Sequence, residues 1–126
     1  MERLVVVGVD GSAGGRRALD WAVRHAAGTG ARLEVVCADP SEEAATEQLH
    51  RDLQDVLAHH PGAAPGITTR VVAGKPADVL LDAARDADLL VVGSHGKGGL
   101  ATTLLGSVSE ACVRRGTTPV LIVPAR

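Results

Sequence analysis

Residues Arg3 to Val9 read RLVVVGV, an almost unbroken β-branched run. A strand with one wet face alternates apolar and polar residues, whereas a strand covered on both faces of a parallel sheet is apolar throughout. This stretch therefore demands helices above and below it. Four more segments have strand length: Arg32 to Ala38 (RLEVVCA), Ile67 to Ala73, Asp88 to Val92 (DLLVV) and Pro119 to Pro124 (PVLIVP).

Helical spacing fills the intervals. After Asp10-Gly11, Ser12 offers an N-cap, and Leu19, Ala22, Val23 and Ala26 form an apolar stripe opposite Arg16, Arg17, Asp20 and Arg24, until Gly28 and Gly30 stop the helix. Asp39-Pro40 ends the second strand. Ser41 is placed to cap a second helix, with Glu42 and Glu43 at its positive end, Leu49, Leu53, Val56 and Leu57 inward, and His59 to Gly62 closing it before a loop to Gly66. Gly74-Lys75-Pro76 starts a third helix, with proline in the first turn, where no N–H is needed. Leu100 to Leu105 reads as a turn and Ser107 to Arg115 as the last helix, because Gly106 inside a helix would cost about 1 kcal/mol relative to Ala.

Five strands alternating with four helices predict an α/β domain with a parallel sheet, right-handed crossovers and helices on both faces. Prolines at both ends of the last strand predict an edge position, which is either blunted by them or paired with a second copy of the chain. At 126 residues, a single domain over 1–126 is expected, with about two-thirds of the unfolded surface buried.

Composition removes several function classes. Trp21 is the one aromatic residue, so base-stacking platforms are not expected, and a net charge of -2 with interspersed signs leaves no footprint for nucleic acid or an anionic membrane. No membrane span or leader pattern is visible, and Cys37 and Cys112 lack metal-ligand spacing; buried free thiols in a reducing cytoplasm are expected.

The chemistry concentrates in Val91 to Ser109, VVGSHGKGGLATTLLGSVS. Glycines at 93, 96, 98 and 99 let backbone N–H groups turn toward an anion, and the following helix N-terminus adds unpaired N–H groups and a partial positive charge. A phosphate is the expected guest. Sheets of this kind bind ligands beyond strand carboxyl ends where strand order reverses, and Asp10, Ala38-Asp39 and the Gly93 loop all occupy such ends. Asp10 is a nucleotide contact or a turn former; Ser107 and Ser109 meet phosphate or only cap a helix. Lys97 reaches phosphate or stays solvated, while Lys75 belongs to the surface. His95 has no neighbouring carboxylate in the sequence to orient it and is not assigned a catalytic role, and His25, His50, His59 and His60 lack the convergent partners of a metal site.

Two other motifs compete. Gly96 to Ala101 fits G-x-G-x-x-A, but only one short strand follows and no acid ends it. A P-loop is excluded because Gly74-Lys75 lacks the upstream glycine and precedes Pro76.

Gly93, two residues, Gly96, nine residues, Gly106 and Ser107 form a spacing that resembles the nucleotide-binding signature of the universal stress protein family. The opening VVVGVDGS, the segment Ala18-Leu19-Asp20-Trp21-Ala22, Gly74-Lys75-Pro76 and the closing PVLIVP resemble that family too, so the likeness runs the full length. It implies a Rossmann-like fold of the adenine nucleotide alpha hydrolase type, a five-stranded parallel sheet of order 3-2-1-4-5, with ATP between strands 1 and 4. By the same resemblance, Val9 and Asp10 approach the adenosine end and the backbone at Ala38 meets adenine. Gly93, Ser94, Gly96, Lys97 and Gly98 pass ribose and phosphates, while Gly106, Ser107, Val108 and Ser109 surround the phosphate tail. Mg²⁺ would arrive with the phosphates, since the loop supplies no carboxylates. The chain is short between strand 2 and helix 2, which removes contacts that a longer loop would add over the adenine.

Three functions are consistent with these residues. The first is a cytoplasmic ATP-binding regulator in stress adaptation, a homodimer through Pro119 to Pro124. A slow ATP hydrolase or phosphoryl-transfer enzyme is the second, although no residue is evident to orient water. The third is a dimeric scaffold without a nucleotide.

Overall fold

The computed structural model describes residues 3–62, 66–95 and 105–124. Strands and helices alternate: β1 (Leu4–Gly8), α1 (Ala13–Thr29), β2 (Arg32–Ala38), α2 (Glu42–Ala58), β3 (Ile67–Val72), α3 (Pro76–Ala83), β4 (Leu89–Gly93), α4 (Ser107–Arg115) and β5 (Val120–Val123). All strand pairs are parallel, in the order β3-β2-β1-β4-β5, so the Rossmann-like fold expected from the sequence is the one observed.

The apolar run of β1 is explained by what covers it. Side chains alternate across a strand, and Val5 and Val7 pack with Ala18, Leu19, Ala22 and Val23 of α1 and Leu49 and Val56 of α2. Val6 points the other way, into a cluster with Val36, Val79, Leu80, Leu90 and Cys112 beneath α3 and α4. Neither face of the central strand meets water, and each valine so buried contributes roughly 1.5–3 kcal/mol. Cys37 and Cys112 are both buried and form no disulfide, one on each side of the sheet.

Both edges differ from this centre. β3 is half-exposed along its length, and β5 lies at the opposite edge, as its flanking prolines predicted. The prolines stand just outside β5 and still accept: Leu90 N–H donates to Pro119 O (2.9 Å), and Arg17 Nε–H donates to Pro124 O (3.2 Å).

Helix ends follow the sequence with one correction. Ser12 caps α1 through its side chain, and α1 runs past Gly28 to stop at Gly30, which is left-handed at φ +78° and donates to Ala26 O. Ser41 occupies the N-cap of α2 but makes no side-chain cap bond. Instead Asp39 Oδ1 accepts the Ser41 N–H at 2.7 Å, and Ser41 is held at φ -96°, ψ 75°, away from the extended geometry of a capping residue.

Polar ties join α1 to the far end of α2. Arg16 reaches Asp55 (3.1 Å) and the buried Asp52 (3.7 Å), and Asp52 also accepts from Gln48 Nε2 at 3.0 Å. His60 Nε2 lies 2.6 Å from Asp20 Oδ1, whose second oxygen pairs with Arg24. His60 thus has a carboxylate partner that sequence spacing did not reveal, although no three His, Cys, Asp or Glu side chains among the described residues could hold a metal ion. No helix among the described residues is long and apolar enough to cross a membrane.

Candidate functional site

From β1 the chain builds outward to β2 and β3 on one side and to β4 and β5 on the other. The reversal lies between β1 and β4, and in sheets of this kind ligands bind beyond the carboxyl ends of the strands at that point.

The wall formed by β1 is finished by its own side chains. Val9 N–H donates to Val36 O (3.0 Å), extending the ladder past the strand. Gly11, at φ +82°, turns the chain so that Asp10 Oδ1 accepts the Ser12 N–H (2.9 Å) and also meets the Ser12 hydroxyl. Ser12 Oγ in turn accepts the Gly15 N–H at 3.1 Å, so part of the donor set at the head of α1 is already engaged. Beside it, β2 rises beyond the level of β1: Gly8 is paired with Val36, while Ala38 is paired with Val72 on the far strand. Asp39 N–H continues that ladder to Val72 O at 3.0 Å.

The wall formed by β4 is built differently. Ser94, 7% exposed, donates its N–H to Val123 O (2.9 Å). Its carbonyl accepts twice, from the Gly106 N–H and from the Ser109 hydroxyl (2.9 Å), which lies 3.1 Å from Gly106 O as well. This clasp brings the two ends of residues 95–105 together. The head of α4 has no side-chain cap, since Gly106 holds the N-cap position in extended geometry, and the first intrahelical bond from this glycine's carbonyl goes to Glu110 N–H (2.9 Å). The amides of Ser107, Val108 and Ser109 precede any helical carbonyl they could reach, and they carry the positive end of the α4 dipole. Arg114 and Arg115 occupy the last turn, where positive charge suits the opposite end.

The two walls touch. A Cβ built on Gly93 would stand 2.7 Å from Gly14 O, and one built on Gly14 would stand 2.2 Å from His95 O. Only glycine backbones can pass so closely.

Of the residues singled out from sequence, Val9, Asp10, Ala38, Gly93 and Ser94 stand at the carboxyl ends of β1, β2 and β4, while Gly106, Ser107, Val108 and Ser109 form the head of α4. Gly96, Lys97 and Gly98 lie outside the described residues. Asp10 has the turn-forming role that was one of its two readings, and the Ser109 hydroxyl is buried in the clasp. Ser107 is exposed, and Val108 packs half-buried on the cluster under α3 and α4. Sequence reasoning passed over Gly14 and Gly15. Their signal was present, since two glycines in a first helical turn each cost about 1 kcal/mol in propensity and call for a compensating contact.

Among known proteins, the model of the universal stress protein family matches residues 1–124. A universal stress protein of Mycobacterium tuberculosis is 37% identical over 141 residues, covering 96% of this chain and 95% of that protein. Another, from Mycolicibacterium smegmatis, is 34% identical over 134 residues, covering 97% of this chain and 46% of its own length. The chain spans about half the length of that protein and of several other curated relatives it matches. A solved universal stress protein in complex with cAMP is 38% identical, with a TM-score of 0.83 over 99% of this chain and 98% of that one. The fold is shared as well by a universal stress protein of Archaeoglobus fulgidus in complex with dAMP, 19% identical with a TM-score of 0.69, over 97% of each chain. With a family match over residues 1–124 and a relative covered over nearly its whole length, the chain belongs to the universal stress protein family.

Proposed function

We propose that this chain binds an adenine nucleotide at the switch point between β1 and β4, that the ligand is ATP carrying Mg²⁺ on its phosphates, and that occupancy adjusts a surface read by other proteins in stress adaptation. The observation that carries this reading is the head of α4, which is capped by a glycine and presents backbone amides where strand order reverses. Anions are stabilised at such a helix start by the dipole and by unpaired N–H groups together. The relative in complex with cAMP, 38% identical, supports an adenine nucleotide as the class of guest.

In this reading, the turn at Val9 and Asp10 and the backbone at Ala38 hold the adenosine end. Gly93, Ser94, Gly96, Lys97 and Gly98 run along ribose and phosphates. The Ser107 hydroxyl and the amides of Ser107, Val108 and Ser109 hold the phosphate tail, while the Ser109 hydroxyl keeps the two ends of the loop joined. No carboxylate at the head of α4 is positioned as a metal ligand by the contacts described, so Mg²⁺ stays on the phosphates. The protein acts as a single domain over 1–126 in the cytoplasm, dimerises through the edge Pro119 to Pro124, and binds the nucleotide without turning it over at an appreciable rate.

Calorimetric titration of nucleotide-free protein with ATP and Mg²⁺, AMP and cAMP tests this directly. ATP is expected to bind more tightly than AMP, because only ATP fills the phosphate end. The likeness to the cAMP complex favours a second reading, a site for cyclic nucleotide; cAMP bound more tightly than ATP would establish it. A folded protein that binds none of the three overturns both and leaves the nucleotide-free scaffold.

A further inference from the structure

We propose that Gly14, in the first turn of α1, is a positioning residue for the nucleotide: it has no side chain because the carbonyl of His95, two residues past Gly93, occupies the place of one. The proposal rests on the reading that the site binds an adenine nucleotide. Three observations meet here. His95 O would lie 2.2 Å from a Cβ on Gly14, far inside the 3.4 Å at which ordinary contact begins. Gly14 O itself would lie 2.7 Å from a Cβ on Gly93, so each segment blocks a side chain on the other. Gly15, next in the turn, is fixed by its N–H bond to Ser12 Oγ, and Ser12 is fixed by Asp10. The first turn of α1 is therefore a rigid stop against which the exit of β4 is seated.

Alanine at position 14 would force the His95 carbonyl to retreat by more than 1 Å, or the head of α1 to lift by as much. Binding groups lose function when displaced by more than about 0.5 Å, so the start of the glycine loop would no longer meet the ligand in register. A purely structural glycine gives a different result. Alanine favours helix over glycine, and where space is open the replacement in α1 only stabilises. Gly28, in the same helix, has no heavy atom within 4 Å of its would-be Cβ and supplies that control.

The test compares Gly14→Ala and Gly28→Ala with the unmodified protein by calorimetry with ATP and Mg²⁺ and with AMP, and by the backbone amide resonances of Gly93 and His95. Gly14→Ala is expected to weaken both nucleotides by about tenfold or more and to shift both resonances in the ligand-free protein; Gly28→Ala should change neither. Equal affinity in a folded Gly14→Ala protein overturns the proposal and leaves the nucleotide reading standing, and unmoved resonances overturn it too. An unmodified protein that binds neither nucleotide sinks both. If Gly14→Ala does not fold, titration of the unmodified protein with AMP decides: Gly14 and His95 amides that shift together support the role, and a Gly14 amide that stays still removes it.

Discussion

β1 and β4 hand the chain to helices at the same end of the sheet, yet the two crossings are built on opposite plans. Between Gly8 and Ala13 the passage is short, and side-chain oxygens of Asp10 and Ser12 take up the Ser12 and Gly15 amides. Between Gly93 and Ser107 the passage is long, and the helix begins behind a glycine that offers no side-chain oxygen. The hydroxyl that could have capped α4, that of Ser109, is turned back to hold Ser94 and Gly106 together. A helix start that caps itself has less to offer a ligand. One that spends its side chains on keeping its own loop closed leaves the amides of its first turn without a side-chain cap among the described residues, and the first crossing then serves as the surface against which the second is set.

The strongest way to break this arrangement is to separate the two crossings. Gly93→Val places side-chain atoms against the Gly14 carbonyl, where even a Cβ would be 2.7 Å away, and is expected to destabilise the domain by about 3 kcal/mol, the upper part of the range for overpacking, as read by urea unfolding. Stability equal to that of the unmodified protein would mean that the two crossings are not in firm contact.

Next in size is a pair that sharpens the contrast between capped and uncapped helices. Ser12→Ala removes the cap on Gly15 and should cost about 1 kcal/mol of stability, with ATP affinity weakened less than by Gly14→Ala. Ser107→Ala should behave in reverse, staying within about 0.5 kcal/mol in stability while weakening ATP in calorimetry. If both variants lost stability and neither lost affinity, the division between a structural and a binding helix start would be wrong.

The smallest effect concerns what lies beneath α4. Burial pushes the Cys112 thiol above its ordinary range, against a lowering influence from Arg115, and the buried face of α1 has no counterpart, being Gly15, Ala18, Leu19, Ala22, Val23 and Ala26. Since the unfolded thiol ionises first as pH rises, the folded state holds its full stability below the ordinary thiol value and loses part of it as pH climbs toward the raised one. Melting temperatures between about pH 7 and pH 10 should therefore fall more for the unmodified protein than for Cys112→Ala, a parallel decline being the result against it.

Features set by neighbours along the chain are legible in the sequence. The β-branched runs marked five strands, Pro76 marked the first turn of α3, and the cost of Gly106 within a helix placed the start of α4 at Ser107, where it is found. Features set by what approaches across space were not. Ser41 has the chemistry of a cap, but Asp39 reaches its amide and holds its backbone elsewhere. Ser109 was read as facing a phosphate or capping a helix, and its bond to Ser94 joins residues that only the fold brings together. Gly14 and Gly15 were costly choices for a helix whose reason lies outside it: the His95 carbonyl for the first, and for the second the Asp10 carboxylate, 3.0 Å from a would-be Cβ.

The clasp at Ser94 also bears on how such a protein can diversify. Because Ser94, at the end of β4, and Gly106, at the start of α4, are hydrogen-bonded to each other, the two ends of the connection between them are held at nearly one point. The entropy of closing a loop grows only logarithmically, about 0.6 kcal/mol for a doubling of length. Insertions and deletions between the two ends are thus cheap in folding terms, and the stretch proposed to meet the ligand can be rewritten by mutation while the barrier to doing so in the sheet stays high.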